Sequence, residues 1–402
     1  MNSSTTEIPN DFSADQSAPV GNCQHSSETA STSPDCAFSA KEIRVVAFDQ
    51  LTHDELMLWE DIRSTRAEFA TPFFSARFNA AVHTSRGDVE VAVIGDGTQT
   101  IGFLPFHRIG KVAFPAGRCF NDAHNIIAHR STKVDWLWLL NQIGCKAFDF
   151  HAMMGADLSE LGEQNYIGTI QSFGADLGND SKAFLARLGK QHKTVGRQPQ
   201  KTRKMAREIG PVELELDCRD EPLLEQTIRW KREQYQRTDI LDFFTPDWTR
   251  SLLTELFNGE ALADIPGDAR GILSVLRANE NVVAAHYGIL ENGLLHYWFP
   301  TYDPSYSQYS PGTALFTAIV ADATDYGIHY IDMGYGEQPY KLKQTDQTGE
   351  VAFGCVSHSS FYRHWRGLET AAIAAIKKAP MKETLKRIWR TVQPTAGISK
   401  LR

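Results

Sequence analysis

The chain has no stretch approaching the roughly 18 consecutive apolar residues that a membrane-spanning helix needs, although 42% of its 402 residues are hydrophobic. It has few cysteines. Cys23, Cys36, Cys119, Cys145, Cys218 and Cys355 are scattered with no CxxC pair. That spacing excludes a zinc-finger pattern and a dense disulfide framework, and it fits reduced thiols in a cytoplasm. No metal site is expected. There is no P-loop and no Rossmann glycine fingerprint, so nucleotide chemistry of those two kinds is excluded as well. Residues 1–40 contain no Lys or Arg and no apolar core segment, so the start does not read as a signal peptide. Their Ser/Thr-rich composition predicts a disordered tail.

Charge is unevenly spread. The net charge is −8, with five acidic and no basic side chains in 1–40, and ten basic against two acidic in 363–402. The body between is acidic, which argues against a general nucleic-acid-binding protein, and no nucleic-acid partner is expected. Within that body Ser181–Gly210 is strongly basic, with Lys182, Arg187, Lys190, Lys193, Arg197, Lys201, Arg203, Lys204 and Arg207. Either these charges form a solvated helix face or they collect an anionic ligand: CoA phosphate, a carrier protein's phosphopantetheine or a phosphorylated acceptor.

The order of elements repeats. In the first half, Glu42–Gln50 reads as a strand and Asp54–Arg63 and Ser75–Val82 as helices. Val89–Ile94 and Thr100–Phe106 form a hairpin about Asp96-Gly97. A helix over Lys133–Ile143 ends at Gly144 and leads to a strand at Ala147–His151. In the second half, Val212–Leu216 is a strand, and Glu221–Tyr235 and Asp247–Phe257 are helices. A hairpin joins Ile272–Leu276 to Val282–Leu290, and Leu294–Pro300 adds a strand. Then come a helix over Ala314–Tyr326, closed by Gly327, and a strand at Tyr330–Met333. Asp149 follows Gly144, and Asp332 follows Gly327, at the same spacing of five residues. These patterns predict an α/β (α+β) chain of two like domains, 41–182 and 183–361, followed by a basic tail over 362–402.

The last βαβ unit holds the best candidate chemistry. The turn Tyr309-Ser310-Pro311-Gly312-Thr313 should bring backbone N–H groups and a positive helix end to one spot, which suits phosphates. Ser310 is expected to cap the helix and Pro311 to occupy its first position. Gly312 would let a ligand approach the backbone. The same turn can also be read as an ordinary capped helix. Acyl transfer needs a base for the acceptor and donors for the thioester oxygen and leaving thiolate. Glu337, His286, His296 and Asp332 are the candidate bases, and Tyr335, Tyr340 and Lys341 the candidate donors. Asp332 also suits a turn cap, and His286 a core position. His296 and Tyr297 point to opposite faces, so one of the two faces the cleft.

Several segments together resemble a known family: Lys190–Arg207, Trp230–Tyr235, Ala284-Ala285-His286-Tyr287, Tyr297–Tyr302, Tyr309–Gly312, Ile331-Asp332-Met333-Gly334 and Glu337 with Tyr340-Lys341. In the first half Pro72-Phe73-Phe74-Ser75, Gly102–Phe106 and Asn121-Asp122 join them. Over roughly 44–360 the chain is similar to the GNAT acyltransferase superfamily, and within it to the double-GNAT group of CelD-like cellulose-biosynthesis acetyltransferases. The resemblance implies two tandem GNAT-like domains, each a mixed, mostly antiparallel sheet flanked by helices and splayed at the acyl-CoA site. It implies an N- or O-acyltransferase using acetyl-CoA or another acyl-CoA as co-substrate, with no permanently bound cofactor and Tyr309, Ser310, Pro311, Gly312 and Thr313 at the donor. Gln308–Thr313 keeps only one glycine of the usual pyrophosphate loop, so an acyl carrier protein remains an alternative donor. The acceptor would be a small molecule, sugar or lipid precursor, in one reading of the cell envelope. Two alternatives stand beside it: a Fem-like aminoacyl-tRNA-dependent transferase and a catalytically inactive scaffold. The first half, lacking both Ser-Pro-Gly and Tyr-Lys, reads as a degenerate copy that shapes the acceptor cleft.

In the tail, Leu368, Ile373 and Ile376 fall on one side of a helix, and Met381–Val392 could form a second. Such a basic amphipathic pair suits peripheral contact with the inner face of a membrane, as does a pair packed on the domain with its charges in water. The expected location is the cytoplasm.

Overall fold

The computed structural model describes residues 38–155, Leu161 and 165–378. The Ser/Thr-rich start up to residue 37 and the second tail helix at Met381–Val392 lie outside the described residues.

Thirteen described strands join one sheet. The first-half strands are β1 (Glu42–Ala47), β2 (Glu90–Gly95), β3 (Thr100–Ile109), β4 (Val112–Pro115), β5 (Ile127–Ala128), β6 (Ala147–Met153) and β7 (Tyr166–Asp176). The second-half strands are β8 (Val212–Glu215), β9 (Arg270–Ala278), β10 (Asn281–Glu291), β11 (Leu294–Tyr302), β12 (Tyr330–Tyr335) and β13 (Gln347–Ser357). Their spatial order is β1-β2-β3-β4-β6-β13-β7-β12-β11-β10-β9-β8, with β5 on β3. The sheet is mostly antiparallel and flanked by helices, so the fold is mixed α/β as its sequence indicates. In place of two separate sheets there is one. The halves exchange strands: β7 pairs antiparallel with β12, while β13 runs between β7 and β6.

Each half contains one parallel pair, β4 with β6 and β11 with β12, and every other described pairing of named strands is antiparallel. The connection between β11 and β12 is the helix Pro311–Ala323 with a short 3-10 turn ending at Gly327. Gly144 and Gly327 both adopt the left-handed conformation that ends a helix, with φ of 69° each. The repeated spacing to Asp149 and Asp332 thus marks the same structural corner in each half.

Apolar side chains on the two faces of the sheet build three cores among the described residues. One gathers Trp59, Phe73, Phe78, Phe103 and Phe120 from the first half with Leu252, Leu256, Tyr287 and Phe299 from the second. A second lies under Pro311–Ala323 and includes Tyr297, Leu315, Phe316, Ile319, Ile331 and Met333. A third packs Trp136, Leu139 and Leu140 on Ile94, Leu104, Phe106 and Phe148. A buried ion pair ties the halves further. Arg63, in the helix His53–Ser64, donates to both carboxylate oxygens of Glu291 at the end of β10.

Candidate active site

β11 and β12 stay in register only for Leu294–His296 against Tyr330–Asp332. Beyond these pairs they separate. A cavity of about 360 Å³ lies beside the later part of β11, lined by Tyr297, Pro300, Thr301 and Tyr302 of that strand and by Tyr340 and Gln344 from the segment after β12. Ser310, Pro311, Gly312 and Thr313 close one end, and Lys231 and Gln234 form a further wall. A larger cavity of about 640 Å³ lies in the first half against Arg66, His129 and Trp136. Neither it nor a cavity of about 520 Å³ that reaches Leu294, Tyr330 and Asp332 touches the turn, so the smaller one is the site that the turn builds.

The turn is held from behind by the basic segment. Gln198 donates to the Tyr309 carbonyl at 3.1 Å, and the Tyr309 hydroxyl donates to Glu208 at 2.6 Å. Lys201 donates to the Ser310 hydroxyl at 2.7 Å. One structural detail corrects the expectation for this turn. The Ser310 side chain makes no cap hydrogen bond; instead the residue sits in the left-handed region, with φ of 55° and ψ of 58°. A following proline disfavours the right-handed helical conformation, and the left-handed one costs a non-glycine residue about 1 kcal/mol. The hydroxyl is thereby turned to Lys201. Pro311 does occupy the first helical turn. At Gly312 a Cβ would meet only Tyr302, at 3.8 Å, so the space in front of this helix end is open.

At the apex of the splay stands His296, buried on the face opposite the cavity. Its Nδ1 lies 3.0 Å from Asp332 Oδ2 and its Nε2 3.2 Å from Asp122 Oδ2. Phe73 packs edge-on against the ring at 4.6 Å. Burial opposes the imidazolium, but the two carboxylates outweigh it and raise the His296 pKa to about 9. Burial likewise pushes Asp332 up, and the facing imidazolium more than reverses this, so its pKa is lowered. Asp332 also accepts the Gly334 N–H at 2.8 Å, so it caps the turn and pairs with the histidine at once.

Gly334 has φ of 67°, and a Cβ there would fall 2.8 Å from Asp122 Oδ2. Gly334→Ala is therefore expected to cost about 1–2 kcal/mol in chemical denaturation and to push Asp122 off His296. Stability equal to wild type would show that this approach is not constrained.

Tyr297, not His296, faces the cavity. Its hydroxyl is buried without a hydrogen-bond partner, and burial keeps it protonated. His286 lies behind Tyr297, stacked at 4.0 Å with an interplanar angle of 9°, and is completely buried. Neither of its ring nitrogens has a partner, and burial holds its pKa well below the ordinary value. It is a neutral second layer and does not line the cavity. Tyr340 does line it; the side chain is 39% exposed, and desolvation around its hydroxyl pushes its pKa up to about 12. Lys341 is buried and donates to the Tyr335 carbonyl at 2.8 Å; burial lowers its pKa against the pull of Asp122 and Asp332. Glu337 is exposed on the turn after β12 and is not among the residues that line the cavity.

Two residues outside the expected set complete the arrangement. Lys231 is buried on the helix Glu221–Arg237 and donates to the Pro300 carbonyl at 2.9 Å. No carboxylate among the described residues pairs with it, and burial lowers its pKa to about 8. The sequence held a signal for it. Leu224, Thr227, Ile228, Lys231 and Tyr235 are the buried face of that helix, so Lys231 occupies a core position in the 3.6-residue period. The other is Asp122, which comes from the first half.

The first half's own corner is filled differently. The β4–β6 pairs end at Ala113 opposite Phe148, one residue before Asp149, whereas in the second half His296 pairs directly with Asp332. Asp149 pairs with Arg366 at 2.8 Å and accepts from the Tyr362 hydroxyl at 3.2 Å. Both partners belong to the helix Ser360–Lys378. The copy that lacks the histidine is thus neutralised by a later part of the chain.

Residues 193–342, which include most of the cavity-lining residues, match the family described as an acetyltransferase (GNAT) domain. No curated protein matches the chain. Among solved structures it is similar to the C-terminal DUF2156 domain attributed to a lysylphosphatidylglycerol synthetase of Agrobacterium fabrum, with 13% identity, TM-score 0.48, and 80% of this chain and 97% of that one covered. FemX gives 9% identity and TM-score 0.48, covering 78% of this chain and 96% of that chain. A tandem GNAT protein from the clavulanic acid biosynthesis pathway gives 10% and 0.45, covering 79% and 99%.

Proposed function

We propose that this protein transfers an acyl group from an acyl-CoA, acetyl-CoA first among them, to an amine or hydroxyl of a small-molecule, sugar or lipid-precursor acceptor. The observation that carries this is the cavity beside the later part of β11, with an open helix end at one end, Lys201 bonded to the Ser310 that lines it, and Lys231 and Tyr340 along its walls. The helix end and Lys201 suit the donor's phosphates. β11 has no described pairing with β12 beyond His296, which leaves that edge to meet the pantetheine arm.

In the reaction, neutral Lys231 takes the acceptor's proton as the acceptor attacks the thioester carbonyl. The unpartnered Tyr297 hydroxyl is the group on the wall that can donate to the developing oxyanion. Collapse breaks the carbon–sulfur bond, Tyr340 gives its own proton to the departing thiolate, and Tyr340 regains a proton from solvent as Lys231 releases the one it took. The products are an amide or ester and free CoA.

The test is Gly312→Asp. The side chain has room in the folded protein but puts a carboxylate in front of the helix end. By calorimetry the wild type should bind CoA and acetyl-CoA, and the variant should bind at least about ten-fold more weakly with its melting temperature unchanged. Absence of CoA binding by the wild type would overturn the reading. Ribonuclease-sensitive transfer from charged tRNA would replace it with aminoacyl transfer.

A further inference from the structure

The helix Ser360–Lys378 presents two unlike faces. One is tied down: Arg366 and Tyr362 bind Asp149, Arg363 donates to the Ser357 carbonyl, and Arg366 also pairs with Glu369. The other is uncovered and apolar. Phe361 is 80% exposed, Trp365 44% and Leu368 71%. With exposed His364 and Ala371 they fall at i, i+3, i+4, i+7 and i+10, a single stripe along the helix. Elsewhere among the described residues large exposed apolar side chains are scattered, as on Met57, Ile109 and Ile240. Only here do three of them follow helical spacing, and such a stripe marks a docking surface.

Charge decides what it docks to. Residues 363–402 carry ten Lys or Arg and two Glu, while the whole chain is net −8. Lys377 and Lys378 follow the stripe directly, and Lys382, Lys386, Arg387 and Arg390 continue the run. A stripe-to-stripe dimer would set the cations that follow this helix in sequence against the same cations of the second copy. An anionic bilayer brings both: an interface for Phe, Trp and Leu, and a negative potential for the cations.

We propose that Phe361, Trp365 and Leu368 form a docking surface for an anionic membrane, held by the Asp149 latch so that the stripe faces outward. The helix lies in the plane of the interface and does not span it; no helix among the described residues is long and apolar enough to cross a membrane. Binding of this kind is reversible and salt-sensitive. The surface is independent of the proposed acyl transfer, since none of its residues lines the cavity.

The experiment is co-sedimentation of the full chain with vesicles of pure phosphatidylcholine and with vesicles of equimolar phosphatidylcholine and phosphatidylglycerol. Binding is expected to the second and not to the first, and to weaken as salt is added. The triple variant Phe361→Ser, Trp365→Ser, Leu368→Ser should lose about ten-fold or more of the partition coefficient. Its circular dichroism and melting temperature should stay as in wild type, because the three side chains are exposed. Wild-type partitioning of that variant, or equal binding to both vesicles, overturns the proposal. So does a wild-type dimer in solution that the triple variant converts to monomer, which would make the stripe a self-association surface. If removal of 379–402 uncovers a dye-binding apolar surface absent from the full chain, the chain's own tail covers the stripe and the proposal likewise falls.

Discussion

Lys231→Met is expected to lower kcat/KM for acyl transfer by about 10²–10⁴-fold, the usual range for removal of a general base, with little change in affinity for CoA. Lys231 is the one cavity-lining group whose protonation is poised near neutrality, at a pKa of about 8. The other candidates are differently placed. His296 is held charged by two carboxylates, Asp332 is committed to that charge, and His286 is sealed behind Tyr297. For wild type, kcat/KM should therefore rise with pH as Lys231 loses its proton through about 8. It should fall again as His296 loses its own through about 9. The rising limb should disappear in Lys231→Met.

Lys231→Arg separates the base role from simple positioning. Arginine can still donate to the Pro300 carbonyl and still carries a positive charge, but it cannot accept a proton near neutrality. If it restores activity, Lys231 only positions the donor. If it is as inactive as methionine, with an unchanged melting temperature, the base role stands. Loss of the buried cation should not in itself unfold the protein, because burying an unpaired lysine is a cost to the native state.

Much of this arrangement was legible from local signals. Strand β11 shows as an aromatic run, the next helix begins at Ser-Pro-Gly and ends at Gly327, and β12 follows at once. Each of those features acts within a few residues, so a linear reading finds it. The strand exchange does not announce itself that way. β7 and β13 lack a clean apolar alternation, and glycines interrupt both. At Gly174 the reason is tertiary: a Cβ there would lie 1.9 Å from the Tyr330 hydroxyl of the neighbouring strand, so the aromatic ring occupies the place of a side chain. Asp122 was legible only as part of a resemblance. Its role depends on a partner in the other half of the chain, which no spacing rule reaches. Ser310 shows the opposite error: a residue type suited to capping found a lysine partner from another helix instead.

Removing the histidine at the apex tests how the two halves act together. His296→Ala leaves Asp122 and Asp332 facing each other across a buried space without the cation that joins them. Breaking a buried pair in this way costs about 3–5 kcal/mol. The sign with pH follows from the raised pKa. His296 binds its proton more tightly in the folded chain, so its contribution is complete below the unfolded value of about 6.5 and is lost as pH rises through about 9. Wild-type stability measured by urea denaturation should thus decline on the order of 3 kcal/mol across that window. His296→Ala should lack this decline. Activity should fall with stability even in conditions where the variant remains folded, because Asp332 caps the turn leading to Tyr340 and Asp122 belongs to the first half. A variant that keeps wild-type kcat and a pH-dependent stability profile like the parent's would mean that the first half neither positions the site nor couples to it through this contact.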